Sequence, residues 1–384
     1  MKKILIVPDI PGWVMESVAF GLVNSKLKEK FDFTIKYADK ISINYGKELI
    51  NWEEDYQKYD IIYLMLSGYL PENLPDYSKI ITSFHGGPGS ESQANDLQRR
   101  KLTDMRVSYV SHQTAKRVIS EPFVSAERVK ARIINYKKID YDWLREYLAI
   151  RDDDELKVEL IDNIDFNKQI TTNMVKAKYT KYGFGLTNLH FTPYGVDVNH
   201  FNQNKITDKF VCGYAGWVRY LQGKQKEHRR GDWILKAFEQ KKFKLSIAGG
   251  LNGIGSGIDE IKIFQSQNKE IKSGLYNRKQ MKNYYSELSC YLVPDKYAGG
   301  PMPVLEAGAM GIPMICTNAG HCGDFIEHDV HGKMINTYEE FVEAIMWMKH
   351  NPNKRKEMGI NLKEYIFKNR TWDAVAPYWE KFFN

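Results

Sequence analysis

The sequence predicts an α/β protein made of two doubly wound halves, each a parallel sheet with helices on its faces. Three observations carry that expectation. Short Ile/Val/Leu runs without strict polar alternation recur from the first residues, as strands covered on both faces require. Amphipathic stretches separate these runs, so strand and helix alternate. The alternation breaks near the middle of the 384 residues and then resumes, which suits about two or three domains.

In the first half the strand candidates are Ile4–Val7, Phe33–Tyr37, Ile61–Leu66, Ile80–Phe84 and Val107–Val110. Helix-like stretches at Glu16–Lys30 and Ser92–Leu102 lie between them. From about Ser120 to Phe184 the chain is rich in Lys, Asp, Glu and Tyr with helical periodicity, and reads as a helical insertion over about 120–185. Alternation resumes at Asn188–Thr192 and from Phe210, with strands at Phe243–Ala248, Cys290–Val293 and Pro313–Cys316. Helices are expected around Asp232–Glu239, Met281–Leu288 and Tyr338–Lys349. The resulting division is 1–192, 193–370 and a C-terminal helix, 371–384, packing back toward the first domain.

Composition narrows the classes. With 43% hydrophobic and 27% charged residues the chain is neither collagenous nor mostly disordered. Its net charge of +7, spread along the chain, favours anionic small ligands or an acidic membrane surface over nucleic acid. Arg99, Arg100, Lys101 and Arg106 form the densest basic cluster of the first half, read as a solvated helix face or a weak peripheral membrane contact. Cys212, Cys290, Cys316 and Cys322 form no CxxC and suit free thiols in a reducing compartment. No standard metal spacing links Cys316, His321, Cys322 and His328, and Asp152-Asp153-Asp154 reads as helix-capping or solvated acids. The apolar run before Pro8 is too short for a signal peptide, and Ile61–Leu66 falls far below the roughly 18 residues of a spanning helix. A soluble, cytoplasmic protein is expected.

Open parallel sheets bind ligands beyond the carboxyl ends of their strands, so four loops after strands are candidates. In Pro8-Asp9-Ile10-Pro11-Gly12-Trp13 the glycine can turn backbone N–H groups toward an anion or close an ordinary turn; it is not GxGxxG. In Phe84-His85-Gly86-Gly87-Pro88-Gly89-Ser90 the imidazole can bond a hydroxyl, stabilise developing charge or face solvent; His112, after the next strand, reads as a helix start. Gly213–Arg219, followed by Lys224, Lys226, Arg229 and Arg230, offers a glycine turn and cations for a diphosphate, or a basic surface loop. In Tyr297–Ala307, Gly299 and Gly300 free the backbone, Pro301 and Pro303 suit a helix start, and Glu306 can accept from a ribose diol or merely favour the helix dipole.

At these residues the chain resembles the retaining GT-B glycosyltransferases of family 4, the glycosyl transferases group 1 type. Phe191-Thr192-Pro193-Tyr194-Gly195-Val196-Asp197 through Phe201 is similar to the family's PNGVD…F segment, and Ser246-Ile247-Ala248-Gly249-Gly250 to its IxGxG strand end. Ser273-Gly274-Leu275-Tyr276-Asn277 resembles the turn whose backbone reads the base. Pro303–Pro313 is similar to PxxxEAxAxGxP, and Thr371-Trp372-Asp373-Ala374-Val375-Ala376 to the closing SWxxVA helix. The fit covers most of 190–384 and is weaker over 1–118.

The resemblance implies two Rossmann-like domains facing each other across a cleft, and transfer of a sugar from a nucleoside diphosphate sugar, UDP- or GDP-type, to a glycan or other hydroxyl acceptor. Retention of configuration and no cofactor or metal are part of that implication. His85, Arg219 and Arg230 would be catalytic. Gly216, Arg229, Gly274, Leu275, Gly299, Gly300, Pro301, Met302, Pro303 and Glu306 would bind the donor, and Pro11 and Gly12 would lie on the acceptor side. A homo-oligomer and a peripheral contact at the inner face of a membrane stay open. One departure matters: Ala298 stands where the family carries the first of two spaced carboxylates, and Asp295 is the nearest acid. Two alternatives therefore remain, a catalytically weakened nucleotide-sugar-binding protein and a nucleotide-sugar epimerase of the same fold.

Overall fold

The computed structural model describes residues 1–12, 14–72, 74, 76–85, 93–94, 96–97, 100–102, 104–111, 114, 155–160, 175–180, 188–203, 207, 209–216, 229–248, 271–274, 277–296 and 298–384. The first elements are β1 (Lys2–Val7), α1 (Val14–Asn24), β2 (Phe31–Ile35), α2 (Trp52–Lys58), β3 (Ile61–Leu64), β4 (Ile80–Phe84) and β5 (Val107–Tyr109). An antiparallel pair, β6 (Glu155–Leu160) and β7 (Val175–Thr180), precedes β8 (Leu189–Phe191). Next come β9 (Val211–Ala215), α3 (Gly231–Lys241), β10 (Lys244–Ala248), β11 (Ile271–Gly274), α4 (Arg278–Ser286), β12 (Cys290–Val293) and α5 (Met302–Ala309). The last are β13 (Met314–Cys316), α6 (His321–Phe325), β14 (Gly332–Met334), α7 (Tyr338–His350), α8 (Pro352–Asn369) and α9 (Trp372–Phe383).

Two compact units contain them, Met1–Gly195 with Arg370–Asn384, and Val196–Asn369. In the first, a parallel sheet runs β2-β1-β3-β4-β5-β8. Its central strands β1 and β3 read as continuous apolar runs because both faces are covered. Leu5, Val7, Ile62, Leu64, Ile80 and Phe84 enter one core with Tyr56 and Tyr59. On the opposite side Tyr63 meets Trp379, Phe382 and Phe383 of α9 at ring-centroid distances of 5.6 to 5.8 Å. Thr371 caps α9 by accepting from the Ala374 N–H at 3.0 Å, and Trp379 Nε1 donates to the Pro193 carbonyl at 2.9 Å.

In the second unit the parallel order is β11-β10-β9-β12-β13-β14. Ile234 and Phe238 of α3 and Phe341 and Ile345 of α7 pack on Cys212, Ile247, Leu292 and Ile315. All four cysteines are buried thiols outside any disulfide. Helix α4 starts at Arg278 rather than near Met281 because Asn277 and Gln280 form a capping box, each side chain taking the other's backbone N–H at 3.0 Å. Helix α8, which the periodicity did not single out, starts on Pro352, where a missing N–H costs nothing, and buries Met358, Leu362 and Ile366.

The helical reading of 120–185 is corrected where the chain is described: β6 and β7 are strands. Leu156, Val158 and Leu160 alternate with polar residues, as do Val175, Ala177 and Tyr179, and the register sets Leu156 opposite Tyr179 and Val158 opposite Ala177. A period of two over only six residues is a weak signal among so many charges. The rest of 120–185 lies outside the described residues, including Asp152-Asp153-Asp154. The expected helix Glu16–Lys30 is also shorter: α1 stops at Asn24, and a single 3-10 turn, Lys26–Glu29, follows a Ser25 cap.

No described helix is long and apolar enough to cross a membrane. The basic cluster of the first half is partly consumed inside its unit. Arg100 pairs with Asp96 at 3.0 Å and donates to the Leu70 carbonyl at 3.1 Å, and Arg106 donates to the Phe382 carbonyl at 2.8 Å. Two of the four cations are therefore not presented as an open face; Arg99 lies outside the described residues.

Candidate functional site

The strand order of the second unit locates its crevice. The chain runs from β9 outward to β10 and β11, then returns to β12 on the other side of β9, so the switch point lies between the carboxyl ends of β9 and β12. Gly216 follows β9 with φ +139 and donates to the Ala248 carbonyl at 2.8 Å. Asp295 and the Ala298–Pro301 loop follow β12.

That loop leads into α5. Pro301 is its N-cap, with φ −64 and ψ 108, and Pro303 sits in the first turn, where helical N–H groups lack partners in any case. Glu306 comes one turn later than a first-turn position, and only 8% of it is exposed. Its Oε2 accepts from the buried Tyr285 hydroxyl at 2.8 Å. Burial pushes the Glu306 pKa up, while the Tyr285 bond and the Arg278 charge pull it down. Gly320 braces the loop from behind: at φ +53, a Cβ there would stand 2.1 Å from the Gly299 carbonyl oxygen. Gly320→Ala is therefore expected to cost about 1–3 kcal/mol through strain and the clash, and to displace Gly299. Urea midpoints measure it; an unchanged midpoint would contradict the close approach.

The two described arginines of the basic loop differ. Arg229 Nη1 lies 2.5 Å from Asp295 Oδ2, the arginine side chain 38% exposed and the aspartate 1%. Burial raises the Asp295 pKa against the pull of Arg229, and Arg229 is held charged chiefly by Asp295. Asp295 also accepts through its backbone carbonyl from Thr317 Oγ1. Hence the acid nearest to buried Ala298 is already committed to an arginine. Arg230 is the N-cap of α3 in a left-handed conformation, φ 44, its guanidinium 4.3 Å from the Trp233 ring centroid. Arg219 and Leu275 lie outside the described residues, and Gly274 is the last residue of β11.

In the first unit, His85 follows β4 and bridges two hydroxyls. Its Nε2 lies 2.7 Å from Ser83 Oγ, which is 2.6 Å from the Tyr63 hydroxyl, and its Nδ1 pairs with the Tyr194 hydroxyl. Burial lowers the His85 pKa to about 4, so the ring is neutral near pH 7 and acts as a hydrogen-bonding group rather than a cation. Gly12, at φ +80, has given its N–H to Glu16 Oε2 at 2.7 Å, which leaves the Pro11-Gly12 turn without that donor for a ligand. Tyr194 stands at the asparagine position of PNGVD, and its pairing with His85 has no signal in the sequence. His112 and Gly86–Ser90 lie outside the described residues.

Residues 223–365 match the family model described as Glycosyl transferases group 1. An uncharacterized glycosyltransferase of Methanocaldococcus jannaschii is 25% identical over 197 residues, 48% of this chain and 49% of the relative. The capsular polysaccharide biosynthesis glycosyltransferase CapM of Staphylococcus aureus is 23% identical over 207 residues, 52% of this chain and 54% of the relative. The chain thus spans about half the length of the curated relatives it matches. Among solved structures, sucrose-phosphate synthase from Thermosynechococcus elongatus superposes with TM-score 0.64 at 12% identity, covering 100% of this chain and 98% of the other. Anabaena HepE in complex with UDP and glucose superposes with TM-score 0.63 at 11% identity, covering 99% of each. At such identities the superpositions establish the fold alone. Residues 223–365 are thus similar to the glycosyl transferases group 1 family, and the two parallel-sheet units carry the GT-B fold.

Proposed function

We propose that the protein transfers a sugar from a nucleoside diphosphate sugar to a hydroxyl of a glycan or similar acceptor, with retention and without a metal. The observation that carries this reading is Glu306, a buried carboxylate on α5 within the family match. In it, Glu306 accepts from the ribose diol, and the Gly299–Pro303 backbone and the start of α5 receive the diphosphate and sugar. Arg229 and Arg230, with Arg219, neutralise the diphosphate as negative charge develops on it. The second unit is the donor unit and the first the acceptor unit, where neutral His85 hydrogen-bonds a hydroxyl. With no evident enzymic nucleophile, the leaving phosphate oxygen takes the acceptor proton as the new glycosidic bond forms and the sugar–phosphate bond breaks. The role of CapM in capsular polysaccharide biosynthesis and the complex of HepE with UDP and glucose support this choice of substrates.

A thermal-shift screen with UDP, GDP, ADP, CMP and dTDP, with and without divalent metal, tests the donor assignment. A ligand at 100 times its dissociation constant adds about 2.7 kcal/mol of apparent stability. A metal-independent shift with one diphosphate is expected; no shift with any would refute it. Buried Ala298, with Asp295 already paired, favours as second reading a protein that binds the donor without turning it over. Slow hydrolysis of the bound nucleotide sugar would eliminate that reading.

A further inference from the structure

Glu306 is held from a helix other than its own. Helix α4 carries Arg278 and Tyr285 seven residues apart, about two turns along one face, and both act on the Glu306 carboxyl group. The capping box of Asn277 and Gln280 fixes where α4 starts, and with it where that face lies. Tyr285 is fully buried. Its ring meets those of Tyr284, Phe201 and Tyr291 edge to face, at centroid distances of 5.3, 5.9 and 6.1 Å. A ring packed against three others has little room to rotate, so its hydroxyl is aimed in one direction. It donates to Glu306 Oε2 at 2.8 Å.

The two carboxylate oxygens are thereby made unequal. Oε2 is spent on Tyr285. Oε1 takes no hydrogen bond from any described residue, yet it is not sealed from solvent as the unserved Oδ1 of Asp295 is. Ordering a long side chain at the moment of binding costs affinity, and a carboxylate already held avoids that cost. Burial pushes the Glu306 pKa up, and the two side chains that oppose it are Tyr285 through its hydrogen bond and Arg278 through its charge. Both favour the ionised form, which is the stronger acceptor for a hydroxyl. We infer that Tyr285 is a positioning residue, which occupies Oε2 of Glu306 and so presents Oε1 to the ribose hydroxyls of the donor. The inference rests on the proposed donor reading of Glu306 and adds the group that holds that carboxylate ready.

Tyr285→Phe keeps the ring, removes the hydroxyl and tests the inference in the full chain. Carbon NMR of the Glu306 carboxyl group, which needs no nucleotide, is read beside calorimetric titration with UDP, GDP, ADP and dTDP from acid to neutral pH. Without the hydroxyl the carboxyl should keep its proton to higher pH, and the acid-side loss of nucleotide affinity should move upward with it. At neutral pH affinity should fall roughly 10-fold, about the loss of one hydrogen bond to a charged group. Because Tyr285 acts through Glu306, the same change in a Glu306→Ala background should cost no further affinity. A tyrosine with only a structural role would lower the urea midpoint and leave the pH profile of binding where it was. An unmoved carboxyl titration in folded Tyr285→Phe, or an equal loss of affinity in the Glu306→Ala background, would overturn the inference while nucleotide binding to the unaltered chain upheld the donor reading. Binding of none of the four diphosphates to the unaltered chain would refute the donor reading, and the inference with it.

Discussion

Arg229→Ala is expected to lower stability by about 3–5 kcal/mol, the cost of leaving a buried charge without its partner. The charge in question is Asp295, 1% exposed and 2.5 Å from the guanidinium. Such a loss is a large share of the ~5–15 kcal/mol that holds a domain folded. The reverse change, Asp295→Ala, should cost only about 1 kcal/mol, because water takes over part of the role of the carboxylate around an arginine side chain that is 38% exposed. A double variant should recover much of the larger loss, since it removes the stranded charge. Urea midpoints of the three variants measure this; equal losses in the two single variants would contradict it.

The pH dependence follows from the same pair. Burial raises the Asp295 pKa and Arg229 lowers it, so deleting the arginine lets the carboxyl group keep its proton to higher pH. A carboxyl with a raised folded pKa binds more protons in the native state than in the unfolded one. Its contribution is present below the unfolded pKa and is lost as pH rises through the folded value. The Arg229→Ala deficit should therefore be small in acid and grow toward neutral pH.

Glu306→Gln is expected to weaken binding of a nucleoside diphosphate roughly 10- to 100-fold, the loss of a hydrogen bond to a charged acceptor. The amide oxygen of Gln can still accept from the Tyr285 hydroxyl, so stability should change little. Glu306→Ala should lose the same affinity and also about 1–3 kcal/mol of stability, because it strands a fully buried tyrosine hydroxyl. Titration calorimetry with the diphosphate selected by thermal shift, beside urea midpoints, distinguishes the two roles. Unchanged affinity in Glu306→Gln would remove this residue from the ribose.

Much of this was legible before any coordinates. The central strands stand out because they are covered on both faces, which makes Ile4–Val7, Ile61–Leu64 and Cys290–Val293 continuous apolar runs. The start of α5 was legible because Pro301 and Pro303 tolerate a position where N–H groups have no partner. Strands β6 and β7 were not legible, because brief alternation is a weak signal within a strongly charged stretch.

Sequence alone determined what depends on near neighbours along the chain: the sheet-forming runs, the caps, the helix entered through prolines, and Glu306 upon it. Only the tertiary structure decided which groups meet. His85 and Tyr194 are 109 residues apart and Arg229 and Asp295 66, and neither pairing leaves a periodic trace. Both are fixed by strand order, which gathers the carboxyl ends of distant strands into one place.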